Sequence, residues 1–208
     1  MHIALEKEPL RSKMLEARRS LMFEKVLELS AVIQGRFLVS PHFTASKKVL
    51  LYASFNNEVL TEGIFEAAVR QGKHVYYPRV AREGRIGLKA GSEARGLKFF
   101  RVKSLSELKQ GSYDIKEPGH PVHHAYEDGF DVAVVPGVAF DVSGNRVGYG
   151  KGYFDAALKG VHCAIVALAY DFQVLSEADR VHSEPHDVRV TEIMTEKRTI
   201  DAGRAGKR

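Results

Sequence analysis

The segment 146–155 carries the residues best suited to chemistry in this chain. It reads R-V-G-Y-G-K-G-Y-F-D and follows an apolar run that ends in Pro-Gly at position 137. Glycines at 148, 150 and 152 allow positive φ and let backbone N–H groups approach a ligand closely. Arg146 and Lys151 add positive charge, and a helix starting near Lys151 would offer free N–H groups to an anion. The pattern therefore predicts a phosphate-binding loop.

This loop matches neither of two common nucleotide-binding motifs. A P-loop places glycine where Asn145 stands and Ser or Thr where Gly152 stands. A dinucleotide fingerprint reads G-x-G-x-x-G, whereas this loop reads G-x-G-x-G. From spacing alone, a glycine-rich turn that merely reverses the chain is therefore an open alternative.

Alternating strands and helices must position the loop. Residues 5–38 have helical spacing of apolar residues, with Gly35 as the first breaker and Ser40-Pro41 closing the region. The remaining predicted strands are 48–55, 74–80, 130–137, 162–170 and, at an edge, 190–196, and the predicted helices are 61–71 and about 151–158. This order predicts an α/β fold, a three-layer αβα arrangement with a mostly parallel or mixed central sheet.

The segment 82–128 is irregular and is predicted to lie at a sheet edge or as a lobe over a cleft. It holds the candidate strands RIGLKA and KFFRV, a short helix at 104–109 and a long loop. We expect one domain over residues 1–208, with an N-terminal helical region to about 40. Residues from about 197 to 208 are expected to form a basic tail, whose DAGRAGKR ending from position 201 is expected to be frayed.

The bulk composition sets limits on partners and location. The 208 residues carry a net charge of +5, which suits an anionic partner without choosing among nucleotides, polyglutamates and nucleic acids. The single cysteine, Cys163, excludes an internal disulfide and fits a reducing compartment. Since we find neither a signal-peptide core nor an apolar span, we expect a cytoplasmic protein without membrane contact.

The loop and its flanks resemble the signature of the 5-formyltetrahydrofolate cyclo-ligase family, P-G-x-x-F-D followed by G-x-R-x-G-x-G-x-G-Y-Y-D. The matching residues are Pro136, Gly137, Phe140, Asp141, Gly144, Arg146, Gly148, Gly150, Gly152, Tyr153 and Asp155. Phe154 departs from the second Tyr of Y-Y-D. A hydroxyl at that position is therefore not required in this chain.

Further matches run in the family's order along the chain. They are Lys7-x-x-Leu10-Arg11, Glu58 with Thr61, Glu117-Pro118, Asp187 and Thr195-Glu196. The resemblance implies a fold similar to the NagB/RpiA/CoA-transferase-like fold. It also implies an ATP- and Mg²⁺-dependent ligase of one-carbon metabolism that converts 5-formyltetrahydrofolate to 5,10-methenyltetrahydrofolate, acting as a monomer on small molecules and not on nucleic acid.

The resemblance also implies roles for individual residues. Lys151 and Arg146 would be catalytic, and Glu58, Tyr153 and Ala53 would bind the folate. Asp155 and Asp187 would bind Mg²⁺. ATP would be bound by Lys7, Arg11, Arg146, Val147, Gly148, Tyr149, Gly150, Lys151, Gly152, Tyr153 and Phe154.

Each of these roles has a structural alternative. Lys7 and Arg11, one helical turn apart, could form a solvated basic face. Asp155 could be a helix-start acid favoured by the dipole, and Glu58 an ordinary acid before a helix. Tyr153 could simply be packed. Two rival functions are open: a non-catalytic nucleotide- or RNA-binding protein on the same scaffold, and an ATP-dependent ligase that acts on another formyl or carboxyl substrate.

Two other groups of residues are set aside. His120, His123 and His124 cluster in one loop and His182 and His186 in another, but no cysteine accompanies them, and loop histidines are usually solvated. Cys163 is predicted to be packed, because it lies in an apolar strand without an activating neighbour.

Overall fold

The computed structural model describes residues 3–80, 96–119 and 129–205. Its helices are α1 (Lys7–Arg19), α2 (Phe23–Leu38), α3 (Pro41–Thr44), α4 (Glu62–Arg70), α5 (Tyr153–Leu158) and α6 (Ala202–Ala205). Its strands are β1 (Ile3–Leu5), β2 (Lys48–Leu50), β3 (His74–Val80), β4 (Leu97–Val102), β5 (Leu108–Gln110), β6 (Lys116–Pro118), β7 (Val132–Val135), β8 (Ala139–Phe140), β9 (Arg146–Val147), β10 (Ala164–Leu168), β11 (Asp179–Val181), β12 (Glu192–Met194) and β13 (Thr199–Asp201).

Seven strands form the central sheet in the order β13-β12-β10-β7-β2-β3-β4. The five inner strands run parallel, and the two outer strands pair antiparallel with their neighbours. The predicted mostly parallel sheet is thus confirmed. Parallel strands place their carboxyl ends at one edge of the sheet, where ligands bind in α/β proteins.

Apolar side chains cover both faces of the sheet, which is why the strands are apolar throughout. On β7, Val132 and Val134 pack with helices α2, α3 and α4 on one face. Ala133 and Val135 point to the other face, into the cluster that contains Leu158 of α5. The predicted three-layer αβα arrangement is therefore confirmed.

The N-terminal helical region differs from its prediction in two ways. It is two helices, α1 and α2, which are separated at residues 20–22, and a short strand, β1, precedes them. Gly35, predicted to break the helix, lies inside α2. A single glycine in a helix costs only about 1 kcal/mol, which the buried face of α2 outweighs.

The C-terminal region also departs from its prediction. Strand β12 is not at the sheet edge, because β13 pairs with it on the outer side. The expectation of a frayed ending is wrong for residues 201–205, which form the last residue of β13 and helix α6. The side chain of Ala202 is buried, and its N–H donates to the carbonyl of Thr191 at 3.0 Å, so this segment is anchored to the sheet.

The irregular central segment contributes an edge strand and a lobe. Strand β4 is the predicted KFFRV strand, and the predicted helix at 104–109 is reduced to one turn before β5. The β5–β6 hairpin lies against β3. The predicted RIGLKA strand and the triad of histidines at 120–124 lie outside the described residues.

Helix α1 packs against strands β8 and β9, which lead into the glycine-rich loop. Leu10 and Met14 of α1 pack with Val138, Ala139 and Val147 in a separate apolar cluster. Strand β1 pairs in parallel with β11, which ties the start of α1 to the segment that leads to Asp187.

Within the described ranges, no helix combines the length and apolar character that crossing a bilayer requires.

Candidate active site

A cavity of about 530 Å³ opens at the carboxyl ends of β2, β3 and β7. Among its lining residues are all those predicted to bind ATP, folate or Mg²⁺ except Val147, whose side chain is fully buried. The predicted residues that line it are Lys7, Arg11, Ala53, Glu58, Arg146, Gly148, Tyr149, Gly150, Lys151, Gly152, Tyr153, Phe154, Asp155 and Asp187. One cavity thus gathers residues from distant parts of the sequence.

A hairpin formed by β8 and β9 presents the glycine-rich loop. Its turn is built on Asp141, whose buried carboxylate accepts from the N–H groups of Ser143, Asn145 and Val181 at 2.9, 3.1 and 3.0 Å. Gly150 and Gly152 then adopt φ of +87° and +64°, a region that side chains rarely allow. The loop is therefore held in a shape that only glycines adopt readily.

Arg146 and Asp155 form an ion pair across this loop. The Nη2 of Arg146 donates to Oδ1 of Asp155 at 2.8 Å, and its Nη1 donates to the carbonyl of Pro136 at 3.2 Å. Asp155 Oδ1 also accepts from the Val188 N–H at 3.1 Å. The predicted catalytic arginine and the predicted metal ligand are therefore direct partners.

Lys7 and Arg11 of α1 both reach the cavity. The Nζ of Lys7 donates to Oδ2 of Asp187 at 2.7 Å and to Oε2 of Glu184 at 3.1 Å. Desolvation opposes the charge of Lys7, but these two acids outweigh it and raise the pKa of Lys7. Arg11 donates from Nε to the carbonyl of Gly148 at 2.8 Å, so α1 is bonded directly to the glycine-rich loop.

Lys151 and Tyr153 face the β5–β6 hairpin. The exposed Lys151 has its Nζ 5.9 Å from the centre of the Tyr113 ring. The hydroxyl groups of Tyr113 and Tyr153 lie 3.2 Å apart. Since Tyr113 also lines the cavity, the hairpin is the predicted lobe over the cleft.

Glu58 lies at the buried floor of the cavity, with 3% of its surface exposed. Its Oε2 accepts from the Phe55 N–H at 3.2 Å, while its Oε1 accepts no hydrogen bond from a described residue. Burial raises the pKa of Glu58 to about 7, although the charge of Arg18, the Phe55 N–H and the nearby Tyr149 hydroxyl act to lower it. An unsatisfied buried carboxylate oxygen beside a cavity is an acceptor for a ligand N–H group.

Arg18 lies behind the cavity lining, and its importance for the site was not predicted from the sequence. Only 1% of its surface is exposed, and its guanidinium donates from Nε to the carbonyl of Asn56 at 2.8 Å and from Nη1 to the carbonyl of Gly137 at 3.3 Å. It also donates to the hydroxyl of Tyr149. Its Nη1 lies 3.9 Å from Oε1 of Glu58. One signal could have revealed it, because Arg18 follows Leu10 and Met14 at intervals of four, on the buried stripe of α1.

The pair Asn56-Asn57 is a second feature that the sequence pattern did not mark. Both residues have left-handed backbones, with φ of 48° and 56°. The side-chain amide of Asn57 donates to the carbonyls of Arg18 and Leu21 at 3.1 and 3.0 Å, at the end of α1. These asparagines therefore fasten the loop that carries Glu58 to the helix that carries Arg18.

Two acids and a histidine near Lys7 form the one group of potential metal ligands found among the described residues. Glu184, His186 and Asp187 place their potential ligand atoms within 4.8 Å of one another. Asp155 is not a member of this group, although it lines the same cavity. Desolvation would raise the pKa of Asp187, but the Glu184 N–H and Lys7 lower it, so Asp187 is ionised at neutral pH.

Cys163 lies away from the cavity and is half-buried against the core cluster around Leu158. Burial raises the pKa of its thiol above the ordinary value. A thiol that is protonated at neutral pH is a poor nucleophile. The predicted packing role of Cys163 agrees with this environment.

The fold and the cavity define an α/β enzyme with one deep, cation-lined pocket for small molecules. The model of the 5-formyltetrahydrofolate cyclo-ligase family matches residues 4–196. The chain therefore belongs to the 5-formyltetrahydrofolate cyclo-ligase family and is a ligase. This membership favours the enzyme over the alternative of a non-catalytic binding protein.

Individual relatives and solved structures agree with this family. The chain is 28% identical over 202 residues to a 5-formyltetrahydrofolate cyclo-ligase of Mus musculus, covering 91% of this chain and 93% of the relative. It is 30% identical over 201 residues to one of Mycolicibacterium smegmatis, with coverage of 94% and 96%. The structure of Aquifex aeolicus 5,10-methenyltetrahydrofolate synthetase matches with a TM-score of 0.77 at 32% identity, covering 94% of this chain and 92% of that one.

A second solved structure supports the fold alone. The 5,10-methenyltetrahydrofolate synthetase from Mycoplasma pneumoniae matches with a TM-score of 0.68 at 22% identity. The match covers 91% of this chain and 98% of that chain. The strand order and layers described above are thus shared with a more distant protein.

Proposed function

We propose that this protein converts 5-formyltetrahydrofolate to 5,10-methenyltetrahydrofolate with ATP and Mg²⁺. The observation that carries the proposal is that one cavity joins a cation-rich glycine loop to a buried, unsatisfied carboxylate, Glu58. The first feature suits a triphosphate, and the second suits a ring edge that donates hydrogen bonds. Family membership supplies the identity of the substrate.

The reaction needs an activated formyl group, because a formamide is a poor electrophile with a poor leaving group. The formyl oxygen attacks the γ-phosphorus of ATP, releasing ADP and forming an imidate phosphate at N5. N10 then attacks the formyl carbon and loses its proton, and the C–O bond breaks to release phosphate. Catalysis of such steps rests on positioning and charge stabilisation.

The cations around the glycine loop would bind the ATP phosphates. Lys7 and Arg11 approach from α1, while Arg146 and Lys151 approach from the loop itself. Lys151 is the exposed member, so it can move toward a phosphoryl group during transfer. Arg146, held by Asp155 and the Pro136 carbonyl, provides a fixed positive charge.

The carboxylates of the cavity fit Mg²⁺, because hard cations prefer oxygen ligands. Asp155 and Asp187 both line the cavity and would hold the ion. When bound, Mg²⁺ would neutralise charge on the ATP phosphates. Lys7 contacts Asp187, and Arg146 contacts Asp155, so each carboxylate is already fixed in position by a cation of the same site.

The folate would lie over Glu58, with its pterin ring donating N–H groups to the carboxylate. Ala53 and Tyr153 line the same cavity, and Tyr113 of the β5–β6 hairpin faces Tyr153. Apolar and aromatic side chains of this kind suit the flat ring system of a folate.

The protein would act as a monomer in the cytoplasm, on small molecules only.

The test is to supply 5-formyltetrahydrofolate, ATP and Mg²⁺ and to follow methenyltetrahydrofolate by absorbance and ADP by a coupled assay. We expect both products in equal amounts, and none when ATP is omitted. Lys151→Ala and Asp155→Ala should depress turnover, whereas Lys13→Gln, an exposed change on α1, should leave it unaltered. An absence of ATP-dependent product at any enzyme concentration would reject the proposal.

A further inference from the structure

Arg18 is a buried charge of the site to which the proposed function assigns no role. A guanidinium stays protonated at all ordinary pH values, and burying it is costly unless it is paired and hydrogen-bonded. Its donors are used by the carbonyls of Asn56 and Gly137 and by the Tyr149 hydroxyl. The carboxylate of Glu58 is its counter-charge, at 3.9 Å.

The length of this ion pair is informative. A separation of 3.9 Å is too long for a hydrogen bond but short enough for strong attraction in a buried site. Arg18 therefore stabilises the charge on Glu58 without occupying its Oε1. That oxygen is buried and is left without a hydrogen-bond donor from the described residues, in a side chain that lines the cavity.

We propose that Arg18 is a positioning residue that favours the ionised form of Glu58 while leaving Oε1 unpaired for a hydrogen bond from the substrate, and that holds the Glu58 loop against the glycine-rich loop. The inference rests on the proposed function, in which Glu58 accepts hydrogen bonds from the pterin ring. Arg18 itself touches neither substrate.

The surroundings of Glu58 show why this cation matters. The titratable groups that act on Glu58 are Arg18 of α1, Tyr52 after β2, Tyr149 of the glycine-rich loop and Tyr170 after β10. Burial raises the pKa of the three phenols, so they are neutral at neutral pH. Among these groups, Arg18 alone supplies positive charge.

The fork of the guanidinium explains the second part of the role. It reaches three segments, namely the loop after β2 at Asn56, the loop after β7 at Gly137 and the glycine-rich loop at Tyr149. A lysine has the charge but not the planar set of donors needed to bridge all three. Charge and geometry can therefore be separated by substitution.

The experiment compares Arg18→Gln and Arg18→Lys with the intact protein at pH values from about 6 to about 9. This range extends to both sides of the raised pKa of Glu58, about 7. Without the cation, the pKa of Glu58 should rise further above its raised value of about 7. Arg18→Gln should then raise the KM for 5-formyltetrahydrofolate on the order of tenfold at neutral pH, one pKa unit being a factor of ten. The KM should fall back as the pH rises, while the KM for ATP changes much less.

Arg18→Lys should keep the pH profile of the intact protein but lower kcat, since it retains the charge and loses the bridge. Glu58→Gln should make the folate KM independent of pH. The double variant Arg18→Gln/Glu58→Gln should have the folate KM of Glu58→Gln alone, because the charge of Arg18 acts on the folate through Glu58, while its kcat should fall with loss of the bridge. Lys13→Gln serves as the matched control on the same helix.

A purely structural role for Arg18 predicts a different outcome. Both KM values would then rise together, equally at every pH, and that result overturns the inference. Circular dichroism shows whether Arg18→Gln folds. If it does not fold, the inference is overturned when Arg18→Lys shifts the pH dependence of the KM for 5-formyltetrahydrofolate. Failure of the proposed function is distinguishable, because the intact protein would then form no methenyltetrahydrofolate. In that case, equilibrium dialysis of 5-formyltetrahydrofolate against the same variants still tests the role of Arg18.

Discussion

Lys7 donates a 2.7 Å hydrogen bond to Asp187, although the two residues lie 180 positions apart in the sequence. Both were predicted to serve ATP, one by contacting its phosphates and the other by binding its metal ion. In the free protein they neutralise each other. Under the proposed function, we predict that binding of ATP with Mg²⁺ loosens this contact, so that Lys7 turns to a phosphate and Asp187 to the ion.

Lys7→Gln is expected to raise the KM for ATP by about tenfold or more, since hydrogen bonds to charged groups are worth about 1.5–3 kcal/mol. The KM for 5-formyltetrahydrofolate should change much less, because the folate is proposed to bind at Glu58, in another part of the cavity lining. Steady-state kinetics with each substrate varied in turn measures both values. An equal rise in the two KM values would contradict the assignment of Lys7 to ATP.

Asp155→Asn is expected to raise the Mg²⁺ concentration for half-maximal turnover by at least about tenfold. The amide keeps the size of the side chain and can still accept from the Val188 N–H, so the fold should persist. A titration of activity with Mg²⁺ at saturating ATP provides the measurement, with Lys13→Gln as the control. An unchanged Mg²⁺ dependence would remove Asp155 from the metal site.

Glu58→Gln should change how stability depends on pH. The pKa of Glu58 is raised from 4.5 to about 7, so between these values the folded protein holds a proton that the unfolded chain has released. The contribution of Glu58 to stability therefore falls as pH rises through this window. Relative to the intact protein, Glu58→Gln should gain up to about 3 kcal/mol between pH 5 and pH 8.

Urea unfolding at a series of pH values measures this difference. The comparison uses the change with pH rather than the absolute stability, because Glu58→Gln also removes the counter-charge of Arg18. A constant offset between the two proteins across the window would mean that the pKa of Glu58 is not raised.

Gly144→Ala and Gly160→Ala form a matched pair that tests the turn beneath the glycine-rich loop. Both glycines have positive φ, +85° and +77°, which costs a side chain about 1–2 kcal/mol. At Gly144 an added Cβ would also lie 2.3 Å from the carbonyl oxygen of Val190, whereas at Gly160 it would meet nothing within 4 Å. Thermal or urea unfolding should show the larger loss for Gly144→Ala, and equal losses would contradict the described turn.

The fold was predictable where hydrophobic pattern decides the structure. Strand β3 was predicted at its observed bounds, and β7 and β10 fall inside continuous apolar runs. The break between α1 and α2 was not predictable, because Ser20, Leu21 and Met22 include neither glycine nor proline. It is stabilised instead by the side chain of Asn57, a contact between residues distant in sequence.

The site was predictable to the extent that family resemblance marks individual residues. Spacing alone indicated a phosphate loop, and resemblance added Lys7, Glu58 and Asp187, which the structure places around the same cavity. Arg18 escaped notice because an arginine near the end of a basic helix is usually a solvated charge that favours the dipole. Only the tertiary structure shows that it points inward, toward Glu58.

The parallel pairing of β1 with β11 has a consequence for biosynthesis. Residues 3–5 are synthesised long before their partners at 179–181. Until then, α1 has no strand partner at its start, and the acids that meet Lys7 do not yet exist. Contacts of such long range slow folding, so the side of the cavity that holds Lys7 should form late, after β2, β3, β7 and β10 have been synthesised.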